Sequence, residues 1–75
     1  MSALADLPIG ASARVLRIDG QDEIGLRLLE MGLTPGADVT LCGRAPLGDP
    51  LEIELRGYRL SLRKLEALRV EVAPH

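Results

Sequence analysis

Apolar residues recur at helical spacing in the first half of the chain and at every second position in the second half. Residues 11–18 predict a first strand that is covered on both faces for part of its length, because apolar side chains occupy both alternating sets of positions. Residues 22–31 predict a helix, since Ile24, Leu28 and Met31 fall on one side of it and a charged stripe runs beside them. The chain therefore opens with a strand and a helix.

A glycine and a tight turn end this predicted helix. Gly32 supplies the left-handed backbone that stops it, and Leu33 can fold back onto Leu28 as the apolar contact of a Schellman ending. Residues 34–37 predict a type II turn, because proline stands at the second position and glycine, which tolerates positive φ, at the third. The helix exit is thus fixed by local sequence.

Alternation of apolar and polar residues predicts antiparallel strands after this turn. The three alternating segments are residues 39–43, 51–55 and 59–63. A single helical turn is expected over residues 63–67. A closing strand then carries Leu68, Val70 and Val72. Residues 73–75 are expected to be loose, and the whole pattern predicts a small, mostly β barrel of about five antiparallel strands with one inserted helix.

The pairing of these strands follows from the turn between them. A type II′ hairpin at Gly57-Tyr58 is favoured, because glycine tolerates positive φ at the first central position. Its register places Leu55 opposite Leu60, Ile53 opposite Leu62, and Glu52 opposite Arg63. The preceding pair aligns Val39 with Leu55, Leu41 with Ile53, and Gly43 with Leu51, which leaves Cys42 on the outer face.

Two leucines of the predicted helix do not fit a single buried face. Leu26 and Leu29 fall across the charged stripe from the other apolar residues, so the helix is apolar over more than half of its circumference. Either residues 4–7 wrap over this second side, or the two leucines are partly exposed and contact a partner. Gly25 lies between the stripes and costs about 1 kcal/mol relative to alanine in a helix interior. Either the helix begins after it, or another part of the chain approaches closely there.

Composition limits the class of protein. The 75 residues leave room for one domain over residues 1–75, and with Cys42 alone no internal disulfide can stabilise it. The net charge of -2 and the single aromatic residue disfavour nucleic-acid binding, which needs a basic face or several stacking aromatics. The sequence has neither the long apolar run of a membrane span nor a secretory signal, which predicts a cytoplasmic protein.

Candidate chemical groups are isolated from one another in the sequence. Cys42 has no second cysteine or neighbouring histidine at ligand spacing, so a packing role is favoured. Glu52 and Glu54 alternate on the solvent face of a strand, which favours a solubilising role, and His75 ends the chain. The glycines match neither phosphate-binding motif. We therefore predict a binding module and not an enzyme, with no catalytic residue, no cofactor and no metal site.

Two loop tips offer candidate contacts for a partner. Leu47 stands between a proline and a glycine within residues 45–50, where it either projects as a docking residue or folds back over the open end of the barrel. Tyr58 is flanked by Arg56 and Arg59, residue types that are enriched at binding hot spots, although burial against the barrel rim is an equal alternative. The candidate partner-binding residues are Leu26, Leu29, Leu47, Tyr58 and Arg59.

Three segments, in this order and spacing, resemble the FeoA family. They are residues 28–36 (LLEMGLTPG), 45–50 (APLGDP) and 56–64 (RGYRLSLRK). No one segment is diagnostic by itself, but together with the final strand they extend the resemblance over nearly the whole chain. The resemblance implies an SH3-like barrel.

The same resemblance implies a function. FeoA proteins are small cytoplasmic accessory proteins of bacterial ferrous-iron uptake, and the implied partner is the membrane ferrous-iron transporter of the FeoB type, whose N-terminal portion hydrolyses GTP. Contact with that transporter, without iron carriage, is the implied mode of action. A small RNA- or ribosome-associated SH3-like barrel, a stand-alone relative of the C-terminal domain of metal-dependent repressors, and a subunit that completes another chain's active site remain alternatives. Association with a second copy is left open.

Overall fold

Six antiparallel strands form one sheet in the computed structural model, which describes residues 2–75. The strands are β1 (Ser2–Ala3), β2 (Ser12–Ile18), β3 (Asp38–Arg44), β4 (Leu51–Leu55), β5 (Tyr58–Leu62) and β6 (Val70–Pro74). Their order across the sheet is β1-β6-β2-β3-β4-β5. The helices are α1 (Glu23–Glu30), inserted after β2, and α2 (Lys64–Ala67), before β6. The predicted mostly β fold with one inserted helix is confirmed, and β1 adds a sixth strand.

The N-terminal segment belongs to the core and does not cover α1. Ser2 pairs with Val72 of β6, and a 3₁₀ helix at Leu4–Asp6 packs against β6 and α2. Leu4 and Leu7 are buried, and the Arg44 guanidinium donates hydrogen bonds to the carbonyls of Ala5 and Leu7, at 3.1 and 2.8 Å. The interpretation in which residues 4–7 wrap over the second apolar side of the helix is therefore wrong.

The core is built from aliphatic side chains. Alternate residues of β4 are buried and exposed, as the two-residue period predicts. Among the described residues, no polar or charged side chain is buried. The largest fully buried side chains are Leu4, Val15, Leu28, Leu33, Val39, Leu41, Leu51, Ile53, Leu55, Leu62, Val70 and Val72.

The hairpin between β4 and β5 has a register two residues away from the predicted one. Leu55 faces Tyr58, Ile53 faces Leu60, Leu51 faces Leu62, and Glu52 faces Ser61. The central turn residues are Arg56 (φ 54°) and Gly57 (φ 85°), so both have the positive φ of a type I′ turn. The predicted type II′ turn at Gly57-Tyr58 is wrong, because the chain reverses one residue earlier.

A bulge changes the second predicted register. Val39 faces Leu55 and Leu41 faces Ile53 as predicted, but Gly43 then faces Glu52 and not Leu51. The extra residue in β3 is Cys42, which is half-buried, with Sγ 3.8 Å from the carbonyl oxygen of Thr40. Such an inserted residue shifts all later pairs by one position, so the predicted pairing of Gly43 with Leu51 is wrong.

The C-terminus is held and is not loose as expected. Ala73 and Pro74 continue β6 opposite β2, and the backbone N–H of His75 donates to the carbonyl of Ser12 at 3.1 Å. The His75 imidazole also lies 2.8 Å from the Asp38 carboxylate. The residues are ordered because β2 is long enough to offer hydrogen-bonding partners beyond Val72. Leu68 ends α2, so the closing strand begins at Val70.

Candidate docking surface

A charged cluster fixes the start of α1. The Asp22 carboxylate caps the helix by accepting a hydrogen bond from the backbone N–H of Gly25 at 3.0 Å. The Arg69 guanidinium donates to the same carboxylate at 2.6 and 3.1 Å, and to the carbonyl of Asp19 at 2.9 Å. The Arg69 hydrogen bonds, followed by that from Gly25, lower the pKa of Asp22 from 3.8 to about 2. The first turn of α1 is thereby joined to the segment before β6.

Close backbone contact at Gly25 sets how the helix lies. A Cβ at this position would be 2.5 Å from the carbonyl oxygen of Gly20, so only glycine fits. The close-approach interpretation of Gly25 is therefore confirmed. Within α1 only Gly25 and Leu28 are fully buried, whereas Ile24 is 40% exposed and Met31, at the helix end, is half-buried. Of the predicted stripe, Leu28 is buried and Met31 packs against the core, so the prediction is wrong only at Ile24.

This placement leaves an open groove beside α1. Its volume is about 760 Å³, and its apolar walls are Ile18, Leu26, Leu29 and Pro35, with Gly20 and Gly25 between them. We call it the α1 groove. Leu26 is 58% exposed and Leu29 is 38% exposed. The structure therefore confirms that these two predicted residues are partly exposed and lie together, whereas their contact with a partner stays a prediction.

The loop between β3 and β4 presents Leu47 to solvent. Backbone hydrogen bonds from Ala45 to Pro50 and from Gly48 to Ala45 close the loop, and Asp49 accepts a bond from the backbone N–H of Lys64 in α2. Leu47 is 96% exposed at the tip. The alternative in which Leu47 folds back over the barrel is therefore wrong.

The Tyr58 side chain has a structural contact as well as an exposed surface. Its hydroxyl donates a hydrogen bond to the carbonyl of Met31 at 2.8 Å, while the side chain remains 45% exposed. Arg56 donates to the Thr34 hydroxyl at 3.1 Å, so two bonds tie this hairpin to the end of α1. Arg59 is exposed opposite Glu54. Tyr58 thus anchors the hairpin, which neither sequence interpretation anticipated.

Only two of the five candidate residues line the α1 groove. Leu26 and Leu29 share the α1 groove, but neither the loop at residues 45–50 nor Tyr58 and Arg59 line it. Sequence reasoning missed two exposed leucines, Leu65 (76%) in α2 and Leu68 (43%) just after it. A helix of four residues is too short for its apolar spacing to reveal which side is buried.

Two further properties of residues 2–75 bear on function. No three His, Cys, Asp or Glu side chains in this range are arranged to hold a metal ion. Neither α1 nor α2 has the length and apolar content that a helix needs to cross a lipid bilayer, and no other described helix does.

Comparison with solved structures supports the fold. The FeoA-like protein of Clostridium acetobutylicum is 34% identical and superposes with a TM-score of 0.91, over 97% of this chain and 85% of that one. FeoA of Stenotrophomonas maltophilia, whose crystal structure contains zinc, is 34% identical with a TM-score of 0.84, over 96% and 89% of the two chains. That protein is described as a procaryotic SH3 domain protein, which confirms the predicted SH3-like architecture.

Comparison of sequences points to the same family as comparison of structures. The Fe(2+) transport protein A/Fe(2+) transporter FeoB fusion protein of Porphyromonas gingivalis is 36% identical over 69 residues, which make up 92% of this chain. They make up only 8% of that relative, so the chain spans a small part of its length. The model of the FeoA domain matches residues 3–74. On this match and these relatives, the chain belongs to the FeoA domain family.

Proposed function

We propose that this protein is a cytoplasmic accessory protein of ferrous-iron uptake that acts by direct contact with the cytosolic portion of a FeoB-type transporter. The observation that carries the proposal is the P. gingivalis relative, in which Fe(2+) transport protein A and transporter FeoB form one chain. Fusion keeps two domains at high effective concentration, whereas separate chains need an interface to achieve the same association. The two proteins are therefore expected to bind each other.

The surface of the protein supports action by contact rather than by chemistry. Large apolar side chains are exposed at Leu26, Leu29 and Leu47, and the fully buried core of a protein interface is more apolar than the rest of the surface. Leucine side chains carry no group that can transfer a proton or bind a metal ion. Ferrous iron is thus cargo of the transporter in this proposal, and the protein acts on the transporter without carrying the ion.

A titration tests direct contact. The purified protein is added to the N-terminal, GTP-hydrolysing portion of a FeoB-type transporter from the same source, and heat of binding is measured by calorimetry. We expect saturable binding with a dissociation constant no weaker than about tens of micromolar. A small globular protein of equal net charge serves as the control. Absence of binding at these concentrations contradicts the proposal.

A further inference from the structure

The α1 groove is preformed. Its helical wall is held at its N-terminal end by the Asp22–Arg69 pair and by the close contact of Gly25 with Gly20. The opposite wall includes Ile18 at the end of β2. A rigid apolar groove binds a partner at lower entropic cost than one that must be ordered first.

The charges around this groove are unbalanced. Arg17, Asp22 and Glu23 are the charged residues that line it. Arg17 is paired with Glu71 and Asp22 with Arg69, while Arg27, elsewhere on α1, is paired with Glu66. Glu23 and Glu30 have no such partner among the ion pairs of the described residues. They stand three residues before and four residues after Leu26 on the exposed side of α1, where helical spacing places them next to it. Glu23 therefore leaves an uncompensated negative charge in the groove lining, and Glu30 adds a second one beside the groove on α1.

We propose that the α1 groove binds a basic amphipathic segment of the transporter's cytosolic portion, with leucine-like side chains on one face and lysine or arginine beside them. The apolar face would cover Leu26 and Leu29, as in other helix-in-groove complexes, and the basic side chains would lie against Glu23 and Glu30. An acidic segment of the same shape is repelled by the same two carboxylates. The identity of the partner rests on the proposed function, but the chemistry of the segment rests on the groove alone.

Two model peptides test the chemistry of the segment. One is a short amphipathic helix of leucine and lysine, and the other has glutamate in place of each lysine. Each is titrated into the ¹⁵N-labelled protein, and amide chemical shifts are followed by NMR. We expect the leucine–lysine peptide to shift the amides of Ile18, Gly20, Leu26 and Leu29 in a saturable way that weakens with added salt. The leucine–glutamate peptide is expected to leave them unchanged.

A pair of double variants separates the groove from the overall charge. Glu23→Lys with Glu30→Lys should weaken binding of the leucine–lysine peptide about tenfold or more, since two attractions become repulsions. Asp6→Lys with Glu52→Lys changes the net charge equally at exposed positions that do not line the groove, and should change the affinity less than about twofold. Equal weakening by both pairs, equal binding of both peptides, or shifts centred on Leu47 or Leu65 would overturn the proposal.

Failure of this inference can be told apart from failure of the proposed function. If the transporter portion binds the wild type and the Glu23→Lys/Glu30→Lys variant equally, contact is established but the groove is not where the basic segment binds. If the transporter portion does not bind while the leucine–lysine peptide still binds in the groove, the site stands and the assigned partner is wrong.

Discussion

At the scale of single residues, Gly25 determines where the helix lies. A Cβ there would meet the Gly20 carbonyl oxygen at 2.5 Å, and a backbone atom cannot move aside as a flexible side chain can. We predict that Gly25→Ala destabilises the protein by about 1 to 2 kcal/mol, because overpacking outweighs the roughly 1 kcal/mol that alanine gains in a helix. The free energy of unfolding from urea denaturation measures this.

Gly43→Ala is the matched control for that substitution. A Cβ at Gly43 would meet no atom within 4 Å apart from its chain neighbours, and the position does not need positive φ, so the added methyl group meets no obstacle. Its effect is expected to stay within about 0.5 kcal/mol. A Gly25→Ala protein as stable as the wild type would show that the helix can shift away from Gly20 without cost.

Asp22 makes stability depend on pH in the acid range. Its pKa is about 2 in the folded protein and near 3.8 when unperturbed, so the folded state favours the charged carboxylate. The stabilisation is fully present above about pH 4 and is lost as the pH falls from there toward 2. We predict that Asp22→Asn, which can still cap α1, loses less stability than the wild type over this interval in urea denaturations at successive pH values.

The partner of Asp22 provides the check. Arg69→Gln should flatten the same part of the pH profile, because the Arg69 hydrogen bonds are the largest cause of the lowered pKa. The double variant is expected to resemble Asp22→Asn, since the two residues act as one pair. If the free energy of unfolding of these variants falls with pH as steeply as that of the wild type, the Asp22–Arg69 pair does not cause the pH dependence.

At the scale of elements, the β4–β5 hairpin places an arginine where asparagine is preferred. Arg56 has φ 54° at the first central position of the turn, a conformation that is costly for most side chains and that asparagine tolerates. We predict that Arg56→Asn stabilises the protein by about 0.5 to 1 kcal/mol, because relief of the strain exceeds loss of the exposed bond to Thr34. For a domain of this size the melting temperature should rise by several degrees.

Arg59→Asn separates this turn effect from a general effect of asparagine. Arg59 lies within β5 at ordinary backbone angles, where asparagine is disfavoured, so this variant should melt at or below the wild-type temperature. If the predicted turn at Gly57-Tyr58 were present, Arg56 would not be a central turn residue and Arg56→Asn would give no gain.

The hairpin also shows what sequence can and cannot predict about elements. The period of two correctly placed Leu51, Ile53 and Leu55 on the buried face. It could not fix the register, because a shift by two residues keeps every side chain on the same face. The observed register requires positive φ at Arg56, a conformation that arginine rarely adopts. The bulge at Cys42 likewise depends on the geometry of the paired strands and not on a local sequence pattern. The local pattern predicts which face of a strand is buried, but predicting which residues pair across strands requires knowing the conformation of the turn between them.

At the scale of the whole molecule, neither the exposure nor the proximity of the candidate residues follows from sequence alone. For Leu47 the sequence left a projecting and a folded-back side chain as alternatives, and the structure shows it 96% exposed. The α1 groove arises from contacts far apart in sequence: Gly25 against Gly20 places the helix, and Asp22 pairs with Arg69 across 47 residues. No local period encodes such a pair. The sequence therefore identified candidate residues, but not which of them line the same groove.

The different locations of Leu26 and Leu47 lead to a prediction about how their contributions to binding combine. Leu26 lies in the α1 groove and Leu47 at the tip of the β3–β4 loop, and no residue of that loop lines the groove. If both are transporter contacts, as we propose, Leu26→Asp and Leu47→Asp should each weaken binding to the transporter portion by about tenfold or more. Because the loop does not line the groove, we expect the two leucines to make independent contacts, so that their losses in binding free energy add in the double variant.

Stability measurements make this prediction specific to binding. Leu47 is almost fully exposed and Leu26 more than half exposed, so each aspartate should lower the free energy of unfolding by less than about 1 kcal/mol. Leu28→Asp, at a fully buried position of the same helix, should instead unfold the protein. Unchanged affinity in Leu47→Asp would remove the loop from the interface, and a double variant no weaker than Leu26→Asp alone would show that the two leucines do not act as separate contacts.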